Sequence, residues 1–250
     1  MDSNPANRHH RLTWGSPQIT NRELGRGGVQ RFRAKLLPAG ARRELVLKFR
    51  KGEIIYFQGD PCDSWFEVIA GVVRTCHFHL DGHRQLTGFF YQGDAFGVEC
   101  GVRDSAAEAV TNIALVRRFA ADDVQGASGQ SHALERALDS ANQFIFLLGR
   151  RHANDRVAAF LLIAAKRLAA GASIPLPMSR SDIADHLGLT IHTVSRTISG
   201  FAKRGLIELQ GPQMIRLIDL AGLRAIAGEE VGAAIDRLRT AAPRPSFADR

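Results

Sequence analysis

A chain of 250 residues is long enough for two ordinary domains, each burying its own core. With 45% hydrophobic and 23% charged residues, its composition is that of a globular protein in water. The formal net charge of +8 favours acidic partners, nucleic acid before anionic lipid. The longest unbroken apolar run, Val157 to Ala165, is too short to span a bilayer. The residues after Met1 hold no apolar stretch of the kind a secretory signal needs, so a cytoplasmic protein without membrane association is expected. The three cysteines, Cys62, Cys76 and Cys100, form no Cys-x-x-Cys pair and no metal-ligand spacing.

In chain order, residues 1–35 are rich in Arg, Gly, Asn and Pro without sustained periodicity and read as an N-terminal extension. Residues 36–128 read as a β-rich unit. Short runs of Val, Ile, Phe and Tyr (Glu53 to Phe57, Trp65 to Ile69, Val72 to Phe78, Arg84 to Tyr91) alternate with turn residues. Asp81-Gly82 predicts a hairpin turn, both residues being tolerant of a positive φ. Gln-Gly-Asp occurs twice, at 58–60 and 92–94, each time after an aromatic-rich strand. Many short strands at close spacing predict a small antiparallel barrel or roll.

Residues 129–171 read as helical. In the first helix, about His132 to Arg151, Leu134, Leu138, Ala141, Ile145 and Leu148 recur at heptad spacing. Such a seam serves either a symmetry mate or burial within a monomer, and a dimer interface is the expectation. A second helix, about Asp155 to Ala169, carries the apolar run, and Pro175-Leu176-Pro177 breaks any helix beyond it.

Residues 172–228 carry the most specific pattern. Ser179 is a good N-cap and Asp182 stands three residues on. Ala184 is small enough for a close helix crossing, Gly188 suits a left-handed turn, and Val194 fills the space between two helices. With Ile183, Leu187 and Ile198 as core, this is the spacing of a helix-turn-helix, its second helix capped by Thr190. There Ile191, Val194, Ile198 and Phe201 form the expected inward stripe. His192, Ser195, Arg196 and Ser199 form the outward one and are the candidate base contacts, Arg196 being suited to guanine O6 and N7. Thr190, Thr193, Thr197, Lys203 and Arg204 are the candidate phosphate contacts. Leu206 to Leu209 and Met214 to Leu217, joined by Gln210-Gly211-Pro212-Gln213, predict a β-hairpin wing. Residues 229–250 read as a tail with a short helix near Val231 to Leu238.

A β-roll, a long helix and a winged helix-turn-helix containing Thr193-Val194-Ser195-Arg196 resemble the CRP/FNR superfamily of bacterial regulators. Lys51-Gly52-Glu53, Gln58-Gly59-Asp60 and Gly93-Asp94-Ala95-Phe96-Gly97 look like further landmarks, and the likeness covers about residues 40–225. The resemblance implies an α+β fold: a cyclic-nucleotide-binding-like β-roll, a dimerisation helix and a C-terminal winged helix-turn-helix. Ser195-Arg196 resembles the FNR and FixK side, which implies a homodimer on a palindromic operator with TTGAT-like half-sites, recruiting RNA polymerase in oxygen- or nitrogen-oxide-linked control.

The chain departs from the family pattern in three places. His192 stands where the family has Glu, so the carboxylate that would accept from cytosine N4 is missing and an altered half-site is expected. The Arg-Ser pair that holds a cyclic phosphate is replaced by Asp104-Ser105-Ala106-Ala107-Glu108-Ala109, whose acids would repel a phosphate, so cyclic AMP is not expected. Glu99 and Arg103 remain as the candidate effector pocket. The N-terminal cysteine cluster of oxygen-sensing iron–sulfur members is absent. Cys76 lies beside His77 and His79, but strand alternation puts it on the opposite face. No metal and no cofactor are expected, with a haem- or effector-binding sensor of the same fold as the alternative. An enzyme is not expected: there is no metal-ligand cluster and no G-x-S-x-G, and Gly-Arg-Gly-Gly at 25–28 lacks the context of a phosphate loop.

Overall fold

The computed structural model describes residues 45–99, 101–120, 127–168 and 173–228. The predicted N-terminal extension, the C-terminal tail with its helix near Val231 to Leu238, and Cys100 lie outside the described residues.

Eight strands build the roll: β1 (Leu45–Arg50), β2 (Ile54–Tyr56), β3 (Ser64–Ala70), β4 (Val73–Phe78), β5 (Arg84–Phe90), β6 (Ala95–Phe96), β7 (Ala106–Ala109) and β8 (Ile113–Ala120). They pair antiparallel in two four-stranded sheets, ordered β1-β8-β3-β6 and β2-β7-β4-β5. Phe49, Tyr56, Phe66, Val68, Val73, Phe96, Ala114 and Val116 are buried together as the roll's core. This is the expected consequence of alternation on strands with one wet face.

The two Gln-Gly-Asp tripeptides make the same turn. Asp60 Oδ2 accepts from Phe57 N at 2.8 Å and Asp94 Oδ2 from Tyr91 N at 2.8 Å, while Gly59 and Gly93 take φ of 89° and 86°. Glycine at the third position and a carboxylate reaching back to the first is a mechanism, and the sequence repeats it. In the β4–β5 hairpin only Gly82, at φ 82°, is left-handed, so Asp81 does not need the tolerance expected of it. Its carboxylate instead accepts from His83 N at 2.9 Å.

After the roll come α1 (Ala127–Leu148), α2 (Ala153–Leu168), β9 (Ser173–Pro175), α3 (Arg180–Leu187), α4 (Ile191–Lys203), β10 (Ile207–Leu209), β11 (Met214–Leu217) and α5 (Leu220–Ala227). The long helix thus begins five residues before the expected His132. The Pro-Leu-Pro segment is more than a breaker, since Ser173–Pro175 pairs with β11 and makes the wing a three-stranded sheet ordered β10-β11-β9. Proline is tolerated there because β9 is an edge strand. Helix α5, which periodicity did not reveal, is capped by Asp219, whose side chain accepts from Gly222 N, and buries Leu223 and Ala227.

Helix α2 is the spine of the second core. Val157, Phe160, Leu161 and Leu162 pack with Ile183, Leu187, Val194, Ile198, Phe201 and Leu223, and the same cluster takes in Val72 and Tyr91 of the roll. The winged-helix core therefore begins at α2, upstream of the expected boundary at residue 172. Burial on several sides explains why α2 shows a continuous apolar run.

Gly71, between β3 and β4, has φ 88°, and a Cβ there would lie 2.6 Å from the Ile113 carbonyl oxygen. Gly71→Ala is expected to lower the unfolding free energy by about 1–3 kcal/mol, from left-handed strain plus a backbone clash, as read by urea denaturation at constant m-value.

Candidate nucleic-acid interface

The site begins with the start of α3. Ser179 accepts from Asp182 N at 3.0 Å and Asp182 accepts from Ser179 N at 3.0 Å, a complete capping box. The helix ends at Gly188, φ 60° and ψ 42°, whose amide bonds to Ala184 O. Arg156 of α2 donates to Leu187 O at 3.0 Å, satisfying a carbonyl the helix leaves open. Thr190 then caps α4 by accepting from Thr193 N at 3.1 Å. Every local device of the turn is thus supplied by the residue type that favours it.

On α4 the buried positions are Val194, Thr197, Ile198 and Phe201, spaced i, i+3, i+4 and i+7. Two expectations need correction. Ile191 is 44% exposed rather than inward, and Thr197 is only 9% exposed. The Thr197 hydroxyl donates to Asn154 Oδ1 of α2 at 3.4 Å, so it faces the core and is not placed for a phosphate. The stripe takes Thr197 in place of Ile191 because α4 leans on the N-terminus of α2, where a hydroxyl finds a polar partner.

His192, Ser195, Arg196 and Ser199 are all exposed on the opposite face, with Lys203 and Arg204 beyond them. Ser195, Arg196, Ser199 and Lys203 border one shallow depression, and Arg196 also borders a second one with Asn154, Thr193 and Arg204. Thr193 is half-buried, and Thr190 is exposed with its hydroxyl committed to the cap. The face therefore carries three cations and several hydroxyls on a rigid helix, with no carboxylate among these residues. Hydrogen-bond donors in that arrangement suit an anionic backbone flanking polar base edges.

The structure ties this head to the roll through an ionic cluster that sequence reading missed. Arg74 of β4 is gripped by Glu108 of β7, with Nη2 at 2.8 Å from Oε1, and donates through Nη1 to Asp182 Oδ1 at 2.5 Å. Arg84 of β5 donates to Asp182 Oδ1 at 3.0 Å and to Asp185 Oδ2 at 2.6 Å. Burial raises the Asp182 pKa, but the Ser179 amide, Arg74 and Arg84 outweigh it and hold the carboxyl below its usual value. Beside it, the His186 ring stacks on Phe144, centroids 4.6 Å apart, and meets Phe89 edge-on at 4.9 Å. Burial pushes this imidazole down to about 4, against a weaker opposing effect from its hydrogen bond to the Leu86 backbone.

The candidate effector residues Glu99 and Arg103 are paired with each other, but only one of them faces a cavity. A cavity of about 270 Å³ lies between the roll, α1 and α2, and Glu99 lines it while Arg103 does not. Arg103 is 2% exposed. It donates to Gly97 O at 2.6 Å, to Glu99 Oε2 at 3.1 Å and to Ser64 O, and lies 4.3 Å from the Tyr56 ring centroid. It is a strut across the 97–103 loop. Cys76 is 2% exposed and burial pushes its thiol up to about 11. Cys62 is half-buried and its Sγ donates to Glu99 O at 2.6 Å. Among the described residues no three His, Cys, Asp or Glu are arranged to hold a metal ion, and no helix is long and apolar enough to cross a membrane.

A capped helix-turn-helix with an exposed polar helix face and a β-wing, carried behind a β-roll, defines a winged-helix DNA-binding regulator. Comparison with known proteins agrees and narrows it. Residues 46–126 match the cyclic nucleotide-binding domain model and residues 155–226 the Crp-like helix-turn-helix domain model. The nitrogen fixation regulation protein FixK of Rhizobium meliloti is 39% identical over 184 residues, covering 73% of this chain and 87% of that protein. The transcriptional activator protein FnrA of Stutzerimonas stutzeri is 32% identical, covering 72% of this chain and 79% of that protein. The solved structure of FixK2 from Bradyrhizobium japonicum superposes with a TM-score of 0.68 at 36% identity, covering 74% of this chain and 98% of that one. The chain belongs to the CRP/FNR family of DNA-binding transcription regulators, with FixK-like sequence, and is not an enzyme.

The His186 environment sets a pH dependence. The unfolded chain takes up this proton near pH 6.5 and the folded chain only near pH 4, so its contribution to stability is complete above pH 6.5 and is lost as pH falls toward 4. His186→Gln is expected to flatten the dependence of stability on pH between about 6.5 and 4 relative to the native chain, as read by denaturant midpoints across that window. Parallel curves for the two proteins would place the sensitivity elsewhere.

Proposed function

We propose that the chain acts as a homodimeric transcription activator that binds a two-fold symmetric operator with TTGAT-like half-sites and contacts RNA polymerase. The observation that carries the reading is the outward face of α4, where Ser195 and Arg196 stand exposed on a helix whose opposite side is fully packed. Arg196 would donate both guanidinium arms to a guanine, and His192 would read the neighbouring pair differently from a glutamate. Thr190, Thr193, Lys203 and Arg204 would hold the flanking phosphates.

Dimerisation is supported by the outward side of α1. Leu134, Leu138 and Ile145 are 48%, 63% and 65% exposed, and Phe146, which the heptad did not include, is 63% exposed. Ala141 is exposed between them and Leu148 is half-buried. The inward side of the same helix is already occupied, by Ala133 and Leu147. An apolar stripe left over after the monomer has packed is what a symmetric coiled contact uses. Relatives carry the names nitrogen fixation regulation protein and transcriptional activator protein, and control by oxygen or nitrogen oxides would suit this chain.

A small effector is the second reading, favoured by the cavity lined by Glu99. Its volume of about 270 Å³ is at the foot of the roughly 300–1,000 Å³ range usual for ligand sites. A Soret band in freshly purified protein would support haem.

Selection of operators from random DNA should return two TTGAT-like half-sites about 34 Å apart, with divergence at the base pair His192 reads. Arg196→Ala should weaken operator binding by about 1–3 kcal/mol at fixed salt with an unchanged melting temperature. Equal affinity would remove Arg196 from base reading. Leu138→Glu and Ile145→Glu should give monomers by light scattering that bind the operator poorly. Dimers surviving both changes would disprove the α1 seam.

A further inference from the structure

We propose that Arg74 and Arg84 of the roll are positioning residues for operator reading, acting through Asp182 and Asp185 to hold the helix-turn-helix in its reading pose. The inference rests on the DNA-reading role of α4 proposed above and adds to it the part of the chain that aims the helix.

The clasp joins residues about a hundred positions apart. Arg74 is braced before it reaches α3. Glu108 takes its Nε at 3.3 Å and its Nη2 at 2.8 Å, which leaves Nη1 for Asp182. Arg84 divides its donors between Asp182 and Asp185, one helical turn apart on one face of α3. The side chains are shielded: Asp182 is 6% exposed, Arg74 14%, and Arg84 and Asp185 about a quarter. Charge-assisted bonds of this length, forked and shielded from water, fix direction as well as distance.

The orientation of α3 determines that of α4. The Gly188 turn, the Ala184 crossing and the buried Val194 make the two helices one rigid piece. With the clasp closed, His192, Ser195, Arg196 and Ser199 remain exposed, so the clasp is compatible with reading and does not mask the helix. A dimer must hold two such helices at one spacing to read two half-sites at once, whereas non-specific binding to phosphates tolerates a loose head. Loss of the clasp should therefore cost two-site recognition more than general affinity for DNA.

The experiment uses the full chain and two duplexes, the selected operator and the same duplex with one half-site scrambled, at one salt concentration. Arg84→Glu is expected to lose at least tenfold of the preference for the intact operator, with faster amide exchange across α3 in the free protein. Adding Asp185→Arg to it recreates the pair with exchanged signs and should restore most of the preference and the protection. Should Arg84→Glu fail to fold, Arg84→Met keeps the aliphatic stem and is expected to lose the preference alone. An unchanged preference in the single variants, a tighter operator complex, or a loss that the exchanged pair does not restore would each overturn the proposal. If the native chain selects no operator and Arg196→Ala matches it, the DNA-reading proposal fails instead, and the exchange data then decide whether α3 is clasped.

Discussion

One buried carboxylate, that of Asp182, holds three parts of the molecule in register. Its Oδ2 closes the capping box that starts α3, and its Oδ1 receives Arg74 and Arg84 from the roll. With its side chain 6% exposed it has little water to fall back on, so it must keep its protein partners. A buried ion pair adds little net stability over a well-packed apolar substitute, yet stripping one partner from it costs about 3–5 kcal/mol. The arrangement is therefore better understood as specifying geometry than as supplying stability. Helix initiation, docking of the head and orientation of the recognition helix cannot be altered one at a time.

A second tie runs along α2. Arg167 near its C-terminus pairs with Asp94, the carboxylate of the second Gln-Gly-Asp turn, and lies 5.4 Å from the Tyr91 ring centroid. Arg156 near its N-terminus bonds to Arg150 O and Leu187 O, joining the end of α1 to the end of α3. Between these arginines Val157 to Leu162 and Ala164 are buried, and Ile163 and Ala165 are half-buried. The roll keeps its own core, while the core around α2 reaches into it through Val72, Tyr91 and Phe89, with charged fastenings at the edge, and a small displacement of β4 or β5 has a packed route to α4. Packed interiors transmit such displacements because they have few voids to absorb them.

What the sequence made legible was local. The caps Ser179 and Thr190, the left-handed Gly188, the Val194 position and the wing are each fixed within a few residues by backbone chemistry. Helical periodicity was less decisive on α4, where both Ile191 and Thr197 fit an inward stripe. The choice was made by Asn154, a residue 43 positions away. The clasp was illegible for the same reason: nothing local to Arg74 or Arg84 marks it for Asp182, since opposite charges at that separation imply no contact. Helix α5 was hidden by its eight-residue length and by Gly222 within it. The heptad on α1 was visible as a period, but its use was not, because an apolar seam looks alike whether it meets the chain's own roll or a second copy. The structure divides the two faces by burying Ala133 and Leu147 and leaving Leu138 and Ile145 out.

The roll itself is completed from within. In the cyclic-nucleotide binders that this fold resembles, an arginine and a serine face a ligand phosphate. Here Arg103 turns its guanidinium into the protein, onto two backbone carbonyls, Glu99 and the Tyr56 ring. That guanidinium is already matched by protein groups, and the neighbouring cavity is lined by the carboxylates of Glu99 and Asp94 together with Arg167, which pairs with Asp94. Arg74 and Arg84 lie on the sheet ordered β2-β7-β4-β5, on β4 and β5, and their bonds to Asp182 and Asp185 likewise use protein groups at both ends.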